Sequence, residues 1–370
     1  MNLDQANGFF SILDFGAVGD GKTDCTDAIQ AAIAAAEKVH GTVWVPAGHF
    51  LTGELHLPSG VNLRGMNCST YCRDMGSCLC LREDDTSRCL LNLSDSHGNE
   101  VADLVIQAKC KSVEEGARMV HGVLLLLNSD DSCNHATEKG YGNCVTLDHV
   151  EVKGFNGDAG HFQNAGVVVV RHCIFGGGRH CLWFNVWDGW ILDCMLPGGH
   201  GAGIYSDQCI ASITITGNRI EWNGLGGIVV KNAYRLSIIG NTIDHTGCEA
   251  MKFEDCNTLA ITGNIIWRPG KGPYLPVQPE DEYSYSAIRF RRCRGVSMTG
   301  NALHAGLEDG DGGRWTPNYG LVLEGLSHSV ITGNSLWGCA MKEAIVDRGG
   351  DNEGLILKDN AVSLASGDRD

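Results

Sequence analysis

Two carboxylates that recur at one place in successive repeats are raw material for acid–base chemistry. Five tripeptides end in Asn: Thr216-Gly217-Asn218, Ile239-Gly240-Asn241, Thr262-Gly263-Asn264, Thr299-Gly300-Asn301 and Thr332-Gly333-Asn334. Three residues beyond each Asn stand Glu221, Asp244, Trp267, His304 and Trp337. If the repeat is structural, Glu221 and Asp244 are neighbours on adjacent units, about 4.8 Å apart along the backbone stack. Two carboxyl groups that close cannot both ionise freely. A proton donor and a base then arise from one residue type. Trp222, His245 and Arg268 follow directly, and Glu249 comes in the next loop. The other reading of the pair is an exposed acidic surface separated by rotamers and water.

The elements that would hold these groups follow from the spacing. The Asn positions advance by 23, 23, 37 and 33 residues, which is one unit of about 23 with insertions in the last two intervals. His149, Cys173 and Cys194 continue the period upstream. Short β-branched alternations joined by Gly/Asn turns, without helical periodicity, predict a β-solenoid whose coils each carry three strands. The recurrent Asn would sit at a left-handed bend and bond to the Asn of the next coil. Ala28–Lys38, after Asp24-Cys25-Thr26-Asp27, is the exception: a short helix with Ile29 and Ile33 one turn apart, suited to capping the first coil.

Ile12-Leu13-Asp14-Phe15-Gly16-Ala17-Val18-Gly19-Asp20-Gly21-Lys22-Thr23-Asp24, the Ala-rich helix, Gly41-Thr42-Val43-Trp44-Val45-Pro46-Ala47-Gly48 and Gly60-Val61-Asn62-Leu63-Arg64-Gly65 resemble the opening of pectate-lyase-superfamily proteins. That group includes polygalacturonase-like hydrolases, uronate lyases and epimerases, fructotransferases and tailspikes. The resemblance implies an all-β, right-handed parallel β-helix with a short N-terminal capping helix. It also implies an oligosaccharide or polysaccharide substrate, an active site on one strand face, and side-by-side homotrimers. Residues 1–370 read as one domain: cap and first coils at 11–65, a Cys-rich insertion at 67–89, and regular coils at 140–362 with long loops at 268–286 and 305–318. Gly199-His200-Gly201 matches a polygalacturonase tripeptide, but the Asn-Thr-Asp, Asp-Asp and Arg-Ile-Lys signatures are missing around it.

Aligning the coils on their Asn places two columns outward by the two-residue strand period. One reads Asn185, Asp207, Lys231, Glu254, Arg291, Glu324; the other Trp183, Tyr205, Val229, Lys252, Arg289, Val322. A polar column flanked by aromatics suits a sugar groove, and cross-strand charge pairing would produce the same pattern. The leading expectation is therefore an enzyme that cleaves or transfers a glycosidic bond with two carboxylates. Glu221 and Asp244 are the pair, with Glu254, Asp207 and Glu249 as substitutes. Lys231, Lys252, Arg289, Tyr205 and His245 would bind hydroxyls or carboxylates, and Trp183, Trp222 and Trp267 would stack on a sugar face. The alternatives are a polyuronate lyase or epimerase using the basic residues, and a non-catalytic glycan-binding solenoid.

Composition narrows the classes further. A net charge of −16 works against nucleic acid or an anionic membrane as a partner. No apolar run approaches the roughly 20 residues that span a bilayer. Seventeen Cys is an odd number, which fits a reducing compartment better than a fully paired framework. Met1–Phe10 has no secretory pattern. The cytoplasm is expected, with secretion instead if a leader has been removed. Cys68, Cys72, Cys78 and Cys80 are spaced unlike a zinc ribbon, and Glu308–Gly313 lacks EF-hand register. No metal or cofactor is expected.

Overall fold

A computed structural model describes residues 7–66, 69–70, 73–74, 76–110, 118–126, 143–208, 210–272, 278–310 and 312–366. Two compact units, residues 1–190 and 191–370, make up the chain. Each unit is a stack of parallel coils, and the fold is a right-handed parallel β-helix.

In the second unit three apolar columns line the interior. Ile204 faces Ile228, then Met251, Ile288 and Leu321. Ile213 is followed by Leu236, Leu259 and Val296. Ile220 is followed by Ile243, Ile266 and Leu303. All of these side chains are buried. Because neighbouring strands are parallel and in register, like side chains stack on like, and a 23-residue period becomes a column.

The Asn ladder runs through this unit. Asn241 Nδ2 donates to Asn264 Oδ1 at 2.9 Å, Asn264 Nδ2 to Asn301 Oδ1 at 2.9 Å, and Asn301 Nδ2 to Asn334 Oδ1 at 2.9 Å. Asn360 extends it one coil further than the tripeptides indicate. The left-handed residue is the preceding glycine, with φ of 63° at Gly240 and 65° at Gly263, so the Asn is free to turn inward. Upstream, Glu151 faces Ile174, which puts Val150 rather than His149 opposite Cys173; His149 stacks on His172 instead. The imidazole belongs to the exposed surface and the thiol to the interior.

In the first unit a helix at Thr26–Glu37 buries Ile29, Ala32, Ile33 and Ala36, the i, i+3, i+4, i+7 stripe that covers an end coil. Asp24 starts it by accepting from the Thr26 N–H at 3.0 Å. Cys78 packs inward against Val105, with Cys80 beside it. Cys68 and Cys72 lie outside the described residues. Cys25, Cys89, Cys110, Cys144, Cys248, Cys256, Cys293 and Cys339 are free thiols. Among the described residues, no helix is long and apolar enough to cross a membrane.

Candidate active site

The insertion between Ile265–Trp267 and Ser286–Thr299 decides what the second unit's strand face can do. Register confirms the column Val229, Lys252, Arg289, Val322. These side chains leave the coil outward, yet they do not face solvent as the strand period predicts. Their exposures are 4%, 6%, 0% and 0%. Part of the insertion comes down onto them, because its carboxylates find the column's cations.

Arg289 is the centre of that contact. Asp281 of the insertion takes two of its hydrogen bonds, at 2.9 and 2.8 Å, and Glu324 two more, at 3.0 and 3.0 Å. Lys252 Nζ lies 2.5 Å from Glu280 Oε1. The outer column is a ladder of alternating charge: Lys231 to Glu254 at 3.8 Å, Arg291 to Glu254 at 3.6 Å, and Arg291 to Glu324 at 2.8 Å. Asp207 precedes Lys231 in this column, since Ser206 faces Val230. Cross-strand pairing therefore accounts for Lys231, Glu254, Arg291 and Glu324.

Between the strand face and the insertion is a cavity of about 210 Å³, lined in part by Tyr205, Val229, Lys231, Glu249, Lys252 and Glu280. It is below the roughly 300 Å³ at which drug-sized sites begin, and so suits about one sugar ring. Glu249 is 2% exposed, and burial pushes its carboxyl up to about 7 although Lys252 and Arg289 pull the other way. Glu280 differs. Burial raises its carboxyl too, but the hydrogen bond from Lys252 together with the charges of Lys252, Arg291 and Arg289 outweighs that and holds it below its usual value. One carboxyl is thus kept protonated near neutrality and the other ionised. Arg289 and Arg291 overcome burial at Glu324 and bring it down to about 2. The Cys248 thiol in the same cavity is pushed up to about 12 by burial and by Glu249, so it stays a thiol.

Glu221 and Asp244 face each other in register, as their equivalent positions require. Each has its own guanidinium. Arg219 Nε lies 2.6 Å from Glu221 Oε2, and Arg268 holds both Asp244 oxygens at 3.2 and 3.0 Å. The repulsion expected between the two is thereby relieved. His245 is fully buried, stacks on Trp222 at 3.9 Å, and places Nδ1 3.1 Å from Asp244 Oδ1. Trp222, His245 and Trp267 do not line the Glu249 cavity.

Trp183 belongs to a cluster in the first unit. Asp158, fully buried, accepts from Arg179 Nε at 2.9 Å and Nη2 at 2.5 Å and from the His180 N–H at 3.1 Å, and lies 2.7 Å from His161 Nδ1. Burial raises its carboxyl, but the His161 and Arg179 hydrogen bonds carry it well below the usual range. His121 accepts the Asp158 N–H at 2.9 Å, and burial lowers it to about 4. His161 stacks on Trp183 at 5.4 Å, and Arg179 lies 4.5 Å over the same indole. His121, Asp158 and His161 have ligand atoms within 4.8 Å of one another. Arg179 already bonds both Asp158 oxygens, so the cluster's negative charge is spent and a cation does not fit. The repeat does not reveal this cluster, because its residues come from strand edges and bends rather than from one column. Glu280 and Asp281 had a faint signal, the acidic run Glu280-Asp281-Glu282 inside a long insertion.

Stacked parallel coils with a charged, partly roofed strand face define a protein of the parallel β-helix class. Residues 9–229 match the family described as rhamnogalacturonase A/epimerase, pectate lyase-like, and the chain belongs to that family. The A-module of mannuronan C-5 epimerase AlgE6 from Azotobacter vinelandii is similar in structure, with a TM-score of 0.65 at 17% identity over 94% of this chain and 98% of that one. Tailspike protein 2 of an Escherichia coli O157:H7 bacteriophage gives a TM-score of 0.69 at 12% identity over 94% of this chain and 46% of that one. DFA-IIIase from Arthrobacter chlorophenolicus, in complex with DFA-III, gives 0.65 at 13% over 94% and 87%. A stretch of 42 residues is 62% identical to alginate lyase 7 of A. vinelandii, covering 11% of this chain and 5% of that protein.

Proposed function

We propose that this chain cleaves or transfers a glycosidic bond, with Glu249 as proton donor and Glu280 as base. The observation that carries the reading is their opposite ionisation in one cavity. Glu249 protonates the glycosidic oxygen as the bond to the anomeric carbon breaks, and the bond's electron pair stays with that oxygen. Glu280 accepts the proton of the incoming hydroxyl, from water or from a sugar, as its oxygen bonds the anomeric carbon. Lys252 keeps Glu280 ionised. Tyr205 and Lys231 would hold sugar hydroxyls. The cavity's size favours a chain end or a short oligosaccharide over the middle of a polymer.

The test is a screen of neutral fructans and glucans, pectin and alginate, followed by the variants E249Q and E280Q on whatever substrate is turned over. Turnover lost in both, with the fold intact, supports the pair. Turnover unaffected by either removes it. Light scattering of the parent protein tests the trimer that the resemblance implies.

A second reading is favoured by the 2.7 Å contact between His161 and buried Asp158. A carboxylate that orients an imidazole makes a base able to take the C5 proton of a uronate. Lyase activity yields an unsaturated product with new ultraviolet absorbance, and epimerase activity changes the uronate composition without chain cleavage. Either result on a polyuronate would select this reading over glycosidic transfer. Absence of turnover on every glycan would support a binding solenoid.

A further inference from the structure

Beyond the Glu249 cavity, the column that continues from Glu221 and Asp244 turns aromatic. Asp244 faces Trp267, and Trp267 faces His304. Ala302 faces Ser335, so Trp337 follows His304 on the next coil. The Trp267 and His304 rings stack at 4.6 Å and 11°, and His304 meets Trp337 at 4.9 Å and 50°. Trp267 is 40% exposed and Trp337 59%. Two large indoles held open to solvent on a rigid ladder are costly unless something covers them.

These rings line a groove of about 610 Å³ with Arg268, Glu308 and Trp315. It shares no lining residue with the Glu249 cavity. The wall carrying Trp315 is anchored at its base: Gly306 N–H donates to Thr316 O at 2.9 Å, Thr316 N–H to Gly306 O at 3.1 Å, and Lys271 Nζ to Gly306 O at 2.9 Å. The groove is therefore preorganised, which lowers the ordering cost of a ligand.

Charge selects the occupant. Arg268 is matched by Asp244, at 3.0 Å, and by Asp309, at 2.7 Å, while Lys271 lies 3.8 Å from Glu308. Arg268 and Lys271 are thus already compensated, so an anionic ligand gains little from them. Trp267 and Trp337 sit two coils apart, roughly 10 Å by strand spacing. That suits two rings of an extended chain packed along the exposed parts of the two indoles, one face of Trp267 being taken by His304, while its hydroxyls reach Arg268 and Glu308. We infer that this groove is a second, accessory site that binds a neutral pyranose chain.

Intrinsic tryptophan fluorescence and affinity electrophoresis test it, with cellohexaose and laminarihexaose as neutral probes and hexagalacturonate as the acidic one. At least one neutral hexaose is expected to shift the emission, with W267A and W337A each weakening its binding tenfold or more. E249Q should bind as the parent does, so failure of the catalytic reading and failure of this site are separate results. Trp337 is exposed, and circular dichroism and melting of W337A confirm that a lost affinity is not lost fold. Binding of hexagalacturonate alone, no binding of either neutral hexaose, or undiminished binding by the W267A/W337A double variant overturns the proposal.

Discussion

Arg289 Nη1 stands 3.4 Å from Glu249 Oε1, a weak contact, because the same guanidinium is committed to Asp281 at 2.8 and 2.9 Å and to Glu324 at 3.0 Å. Glu249 is therefore buried beside a cation without being fully neutralised by it. A carboxyl in that position keeps its proton to about pH 7, and the first prediction concerns the proton. E249Q should lower turnover by about 10²- to 10⁴-fold, the usual contribution of a general acid. The fold should be retained, since the amide resembles the protonated acid. The parent's kcat/KM should decline above about pH 7 as Glu249 ionises, and a stopped assay across pH 5–9 reads both effects.

Stability should carry two opposing slopes. The unfolded chain loses the Glu249 proton near the ordinary 4.5 and the folded one near 7, so this group makes stability fall as pH rises between those values, by about 3 kcal/mol. Folded His121 binds its proton near 4 and the unfolded residue near 6.5, so this group makes stability rise across nearly the same window. E249Q should unmask the rise and H121N the fall. Urea unfolding at pH 4.5, 6 and 8 measures each, and parallel curves for the two variants would contradict the assignment.

Replacing Arg289 by Met keeps much of its volume but leaves Asp281, Glu324 and Glu249 without their common cation. A loss of about 3–5 kcal/mol is expected, as for other broken buried pairs. The stretch around Asp281 should also become open to proteolysis. R289K should not restore it, because an ammonium cannot form two bidentate forks at once. Thermal melting and limited proteolysis check these outcomes.

The Asn ladder should be sensitive at a single rung. Asn264 accepts from Asn241 N and Nδ2, at 2.9 Å each, and donates to Ile238 O at 3.0 Å. N264A strands buried partners on both sides, each costing about 1–3 kcal/mol. A drop in melting temperature larger than that of an exposed substitution such as K358A is the expected result.

What could be read without coordinates was whatever repeats. The 23-residue recurrence and the inward alternation specify stacked coils, because parallel register turns a sequence period into a spatial column. Glu221 beside Asp244, Lys252 beside Arg289 and the Asn ladder are all consequences of that one rule. The rule says nothing about what an irregular insertion will do. Glu280 and Asp281 came down onto Lys252 and Arg289 because opposite charges found each other across a loop that has no period.

The ionisation of each carboxylate was likewise outside the reach of the pattern. Glu221 and Asp244 match on paper, yet each met an arginine of its own. Glu249, one more acid in a loop, was buried next to a guanidinium already engaged elsewhere. Sequence alone determined the β-helix and which residues share a stripe, since those depend on local alternation and turn chemistry repeated many times. Tertiary structure alone decided which acid keeps its proton, because that depends on desolvation and on the nearest charge, and both are set by segments that come together only once.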